Sequence, residues 1–333
     1  MNLPTSIYVF RWFVRDTFRQ ANAARLSWLM LVFSGIFILI CLSVGVRGEA
    51  PLERNGERAD FLPADDPLAA AVKSSNTGVV VVGGELTVFF GLIRVPLGRD
   101  AAESVHFLEL LLAGFVADTL GIFLALIWTG GFFSSFLDPC SASVLLVKPV
   151  PRGLILVGKY VGVLAFVAAQ VVIFVLGTWL ALGLKTGCWR FEYLLCIPIF
   201  IVHFASFFAV SSFLAVRARS SIVCVLGSLA FWLICWGVNL SRHSVRVASE
   251  ADAPSASVRV LAEAGYWMLP KPSDLSIVLF DALDAGRSFH RADVFRSLDR
   301  LSAFHPTLSL ATSLLFALVA LCASARHFAV QDY

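Results

Sequence analysis

The chain has 333 residues, 58% of them hydrophobic against 15% charged, with a mean hydropathy of +0.82. Such values lie far from those of soluble globular domains and exclude a soluble fold. The net charge is only +3, and the arginines sit beside apolar runs instead of in one basic tract, which argues against a nucleic-acid partner.

In chain order, residues 1–25 come first. Arg11, Arg15 and Arg19 recur at i, i+4 and i+8 among aromatics, the pattern of a cytoplasmic amphipathic helix lying in the headgroup layer. A frayed basic arm is the alternative. The apolar run that follows is too long for a signal-peptide core, so it is expected to stay as the first membrane anchor. Six runs of roughly twenty apolar residues, each about the length needed to cross a bilayer, occupy residues 26–46, 107–133, 154–184, 193–216, 222–240 and 307–323. The expected fold is an all-α polytopic membrane protein with six transmembrane helices.

Residues 47–106 form a polar segment between the first two spans. Within it, Val79 to Phe90 has the composition of two short strands, and Gly83-Gly84 permits a turn, which predicts a small β-hairpin. Residues 134–153 connect spans two and three. Residues 241–306 precede the last span and mix apolar and charged residues at helical spacing around Leu269-Pro270-Lys271-Pro272. They predict short helices over the outer mouth of the bundle; a re-entrant hairpin over 266–283 competes, provided that Lys271 and Asp274 are shielded from lipid.

Bases at the N-terminus, after spans two and four, and at Arg326 near the C-terminus (residues 324–333) place both termini in the cytoplasm by the positive-inside rule. The segments 47–106 and 241–306 are then extracytoplasmic. Intramembrane polar residues are few: Glu109, Asp118, Gln170 and His203. Asp118, Gln170 and His203 are candidates for a transport pathway, since charge and polarity at membrane depth are costly. For Asp118 a structural interhelical hydrogen bond and a proton-relay role also stand open. Glu109 lies near the outer boundary, and on a straight helix nine residues set it nearly opposite Asp118. The seven cysteines are scattered without metal-site spacing and read as small hydrophobes. Trp179, Trp189, Trp232 and Trp236 fit an interfacial aromatic belt. No catalytic or metal-binding constellation is evident, so no enzyme is expected.

The most specific local pattern runs from Phe136 to Tyr160: Asp138-Pro139, then Ser141, Val144, Leu145, Lys148-Pro149 and Arg152, with Gly158-Lys159 opening the next span. It resembles the permeases of ABC transporters of the ABC-2 class, in which an acid, a short amphipathic helix, a basic or polar residue with proline, an arginine and a Gly-Lys occur between the second and third spans. The order of the six spans and the large segment after the first agree with that class, while Asp138 stands where the family often has glutamate.

The resemblance implies a coupling helix that docks on a separate ATP-binding subunit, with Lys148 or Arg152 pairing with acids there. It also implies a second permease copy or paralogue, export, and a bacterial inner membrane. ATP and Mg would then be bound by the partner and no cofactor by this chain. Gly153 to Tyr160 matches phosphate-loop spacing only until Tyr160, where Ser or Thr is required. The alternative function is a proton-coupled secondary transporter or channel using Asp118 and His203.

Overall fold

The computed structural model describes residues 3–47, 52–53, 79–80, 84–97, 101–136, 151–247, 255–287 and 305–330. Among these, six helical stretches are long and apolar enough to cross a membrane: Leu26–Ser43, Val105–Phe133, Arg152–Thr186, Phe191–Ala218, Ser221–Val247 and Pro306–Val330. The chain is an all-α integral membrane protein.

Helix α1 (Leu3–Ala23) and α2 (Leu26–Ser43) meet at Arg25, whose left-handed backbone (φ 56°) turns the chain. Arg11, Arg15 and Arg19 are exposed, while Phe13, Thr17 and Ala21 form a buried stripe one turn apart. That stripe packs on α5 (Arg152–Thr186). A Cβ at Gly158 would fall 2.5 Å from Phe13, and one at Gly162 would fall 2.5 Å from Thr17, so the small-xxx-small spacing cuts a notch in which two helix backbones approach closely. Lys159, between the two glycines, donates to Gln20 Oε1 at 2.5 Å and lies 3.6 Å from Asp16 Oδ2.

The second span is composite: α3 (Ala101–Leu111), a π-helical segment (Leu112–Leu120) and α4 (Gly121–Phe136). A 3₁₀ turn at Phe191–Leu195 leads into α6 (Cys196–Ala218), followed by α7 (Ser221–Val247). The last span, α10, covers Pro306–Val330. Its Ala325 approaches Gly153 at the start of α5, so α1 and the end of α10 share one end of the bundle, here called proximal. Phe166, Phe204, Phe207 and Phe208 are fully buried and fill the centre.

The distal end carries short strands. β1 (Gly45–Arg47) pairs antiparallel with β4 (Gly84–Val88), which pairs in turn with β5 (Ile93–Leu97). β2 (Leu52–Glu53) pairs with β3 (Val79–Val80). This corrects the expected hairpin about Gly83-Gly84: β3 and β4 take other partners, and the turn follows the end of β4, at Phe89–Leu92. Phe89, Phe90 and Gly91 there all have positive φ, and the Phe89 N–H donates to Ser43 Oγ at the end of α2 (2.9 Å).

The helices expected over the outer mouth instead fold back into the bundle as a re-entrant hairpin. α8 (Ala256–Met268) enters along α7, with Glu263 against Arg246 and Gly265 against Val238. α9 (Pro272–Ala282) leaves along the second span in the opposite sense: Ser276 donates to Asp118, Phe280 packs against Gly114, and the Leu283 carbonyl accepts from His106 (2.7 Å). At the tip, residues 270–275 are all buried. Pro270 and Pro272 have no N–H to satisfy, and the N–H of Lys271 between them donates to Ser313 Oγ, well inside α10 (3.3 Å). Only a tip so poor in backbone donors can be held at this depth at low cost.

Candidate functional site

Asp118 lies in the π-helical segment at the middle of the second span. Wide turns of this kind are rare and tend to accompany functional sites, because they re-aim side chains that a regular helix would point elsewhere. Asp118 is buried, as are His203 at the middle of its span and Trp232 at the middle of α7. The three form a chain: Trp232 Nε1–H donates to His203 Nε2 (3.2 Å), and His203 Nδ1 meets Asp118 Oδ1 at 2.9 Å. Ser276 from the re-entrant hairpin donates to the other oxygen, Asp118 Oδ2. Four chain segments thus converge at mid-bundle.

The direction of this chain follows from chemistry. An indole nitrogen only donates, so His203 Nε2 must accept, which puts the proton on Nδ1 and makes it the donor to the carboxylate. A doubly protonated His203 would set two N–H groups against each other. Uptake of a proton on His203 therefore requires Trp232 to withdraw.

The structure brings together two of the three residues expected to line a pathway, Asp118 and His203, and places the third elsewhere. Gln170 lines a separate cavity of about 60 Å³ between α2, α4, α5 and α6. Trp232 is corrected from belt residue to site residue: it lies near the middle of α7 and its indole N–H is spent on His203. Glu109, about one turn into the second span, is buried within the protein, and its Oε1 has no hydrogen-bond partner among the described residues.

A second buried carboxylate was not recognisable as a site from sequence. Asp274, at the start of α9, accepts from His243 Nε2 (2.8 Å), from the Tyr266 hydroxyl (2.6 Å) and from Ser309 Oγ (2.5 Å). Two cations flank the same tyrosine ring, Arg242 at 4.2 Å and Lys271 Nζ at 4.7 Å from its centroid. Lys271 also donates to Thr312 and lies 5.1 Å from the Trp267 ring. The signal available in the sequence was the pair Lys271 and Asp274 within an otherwise apolar Leu-Pro-Lys-Pro stretch. Its shielding comes from residues 31 to 42 positions away, in α7 and α10.

Of the residues assigned to coupling by resemblance, Asp138, Pro139, Ser141, Val144, Leu145, Lys148 and Pro149 lie outside the described residues. Arg152 begins α5, and Gly158 and Lys159 form the seat of α1. The stretch from Gly153 to Tyr160 is the first turns of that helix, with the N–H groups of Leu154 and Ile155 already donating to the Pro151 carbonyl, so its backbone does not form a phosphate-cradling loop. Tyr160 donates to the Ala205 carbonyl (2.8 Å) and ties α5 to α6. No known protein-family model and no characterised protein sequence matches this chain.

Proposed function

We propose that this protein is the membrane-spanning permease subunit of an ABC transporter of the ABC-2 class, an exporter driven by a separate ATPase and working as a dimer in a bacterial inner membrane. The observation that carries this reading is the union of α1 with α5 at the proximal end. The connection between spans two and three delivers the chain to Pro151 and Arg152, and within the next two to three turns α1 is locked to α5 by the Gly158/Gly162 notch and by Lys159. A push on the 134–153 connection would move α5 and α1 as one body, since interdigitated helices transmit displacement and do not absorb it.

In this reading the exposed arginines of α1 sit in the cytoplasmic headgroup layer. Lys148 and Arg152 pair with acids on the ATPase, which binds ATP and Mg. The test is co-purification in mild detergent with candidate ATP-binding subunits. Wild type is expected to retain one, and Lys148→Glu/Arg152→Glu to release it while keeping its own elution profile. A well-folded wild type that recruits no ATPase overturns the reading.

Proton-coupled transport is the second reading, and the contact of Asp118 with His203 at mid-span favours it. Against it stands the Trp232 donor, which occupies the nitrogen that would take the proton.

A further inference from the structure

Phe90 and Leu92, in the turn between β4 and β5, are the two most exposed large apolar side chains among the described residues, at 79% and 84%. Their backbone is held against its preference. Phe89, Phe90 and Gly91 have φ of 54°, 56° and 92°, and the Leu92 N–H closes the turn on the Phe89 carbonyl (3.2 Å). Positive φ at both central positions suits Asn, Asp or Gly and strains a phenylalanine. No residue from Leu86 to Ile93 carries a charge. An uncovered ring on such a turn points to a role outside the chain's own packing.

Strand register fixes where the turn lies. β1 leaves the end of α2 through Val44, and β4 pairs with it antiparallel, Arg47 opposite Glu85 and Gly45 opposite Thr87, so each residue after Glu85 comes back toward the helix. Thr87 Oγ1 donates to the Gly45 carbonyl (2.9 Å), and two residues later the Phe89 N–H reaches Ser43 Oγ (2.9 Å). The turn is therefore returned to the last apolar turn of α2, Leu39 to Leu42. Ser43 shares a face of α2 with Leu29, Val32, Ile36 and Leu39 by helical spacing, and those four are exposed on a helix that is long and apolar enough to span the bilayer. That stripe is the lipid face of α2, and Phe89–Leu92 continues it at the distal end.

We infer that the β4–β5 turn is a membrane anchor: Phe90 and Leu92 enter the distal leaflet beside α2 and hold the sheet on the bilayer surface. Lipid is the occupant that fits on three counts. The tip offers apolar side chains and no charge; it prolongs a lipid face and not a face packed within the bundle; and the N–H groups of Phe89 and Leu92 are already spent, on Ser43 and on the Phe89 carbonyl, which lowers the cost of leaving water. The depth implied is the boundary between head groups and acyl chains. The inference needs only that α2 spans the bilayer, so it stands or falls separately from the ATPase reading.

The test is photocrosslinking of the full chain in nanodiscs of phosphatidylethanolamine and phosphatidylglycerol, with p-benzoylphenylalanine introduced in place of Phe90, of Leu92 or, as a reference farther along β4 from the helix, of Glu85. Mass analysis is expected to show lipid adducts from positions 90 and 92, and roughly tenfold fewer from position 85. Phe90→Asn supplies a residue that the turn prefers, so the melting midpoint should hold or rise. In that variant lipid adducts from position 92 should fall roughly tenfold, the scale of keeping one large apolar side chain out of hydrocarbon. A lower midpoint for Phe90→Asn would show that the ring packs within the protein and would overturn the anchor. So would adducts to a second copy of the chain in place of lipid, equal lipid yields from positions 85 and 90, or a position-92 yield indifferent to Phe90→Asn.

Discussion

Asp118 and Asp274 are both buried carboxylates facing a histidine, and the re-entrant hairpin touches both, yet their surroundings differ in kind. Asp274 is enclosed by donors from three elements, His243, Tyr266 and Ser309, with Lys271 and Arg242 stacked on the same tyrosine. Asp118 is the end of a single file, Trp232 to His203 to Asp118, with one further donor from Ser276. A radial cluster keeps its geometry when one donor leaves. A linear chain changes state when any link moves, so the Asp274 cluster has the form of an anchor and the Asp118 chain has the form of a switchable contact.

The largest effect is therefore expected at the anchor. Asp274→Ala leaves His243, Tyr266 and Ser309 without their common acceptor and strips Lys271 of its nearest opposite charge, a loss on the scale of about 3–5 kcal/mol for a broken buried pair. Thermal unfolding in detergent should show a large fall in midpoint, with α8 and α9 the first segments to gain hydrogen exchange. If Asp118→Ala lowers the midpoint as much, the distinction between anchor and switch is wrong.

Asp118→Asn should cost less, about 1 kcal/mol, the size of intramembrane hydrogen bonds measured by substitution. The amide still offers an oxygen to His203 but adds N–H groups toward Ser276, so the loss should appear as faster exchange at the start of α9 with little change in the rest of the bundle. Trp232→Phe is smaller still in stability and more informative in chemistry. It removes the donor that fixes the tautomer, and ¹⁵N spectra of labelled histidine should pass from a single Nδ1–H form of His203 in wild type to a mixture. A wild-type protein already showing Nε2–H would break the direction assigned to the chain.

The six spans were legible because twenty apolar residues in a row have few soluble explanations, and the exposed arginine stripe of α1 was legible because its spacing matches a helical turn. What was not legible depends on partners remote in sequence. Arg242 and His243 lie past the expected end of the fifth span, but they continue α7 because Glu263 and Asp274 of the hairpin receive them. The π-helical segment leaves no mark in composition, since a change of hydrogen-bond step from i+4 to i+5 alters register and not residue type. Lys271 and Asp274 read as solvated because nothing within ten residues announces Thr312, Ser309 or His243.

The smallest effect concerns the hairpin where it enters, and it sharpens the comparison by showing which part of the hairpin responds to pH. Partial burial acts to raise the Glu263 carboxyl, but the hydrogen bond from Arg246 and the charges of Arg242 and Arg246 outweigh it and hold the group below its ordinary value of 4.5. A carboxyl depressed in the folded state contributes stability that is fully present above its unfolded value and is lost as pH falls through the folded one. The contact of α8 with α7 should therefore be indifferent to pH from about 8 down to about 5 and loosen below that. Cysteine accessibility at a reporter placed at Val260, which is exposed on α8, would follow the loosening. Glu263→Gln should give the loosened level throughout and abolish the acid dependence, because both arginines keep their charge across the whole range. The tip, held by the three donors to Asp274 and not by this pair, should stay in place while the entrance opens.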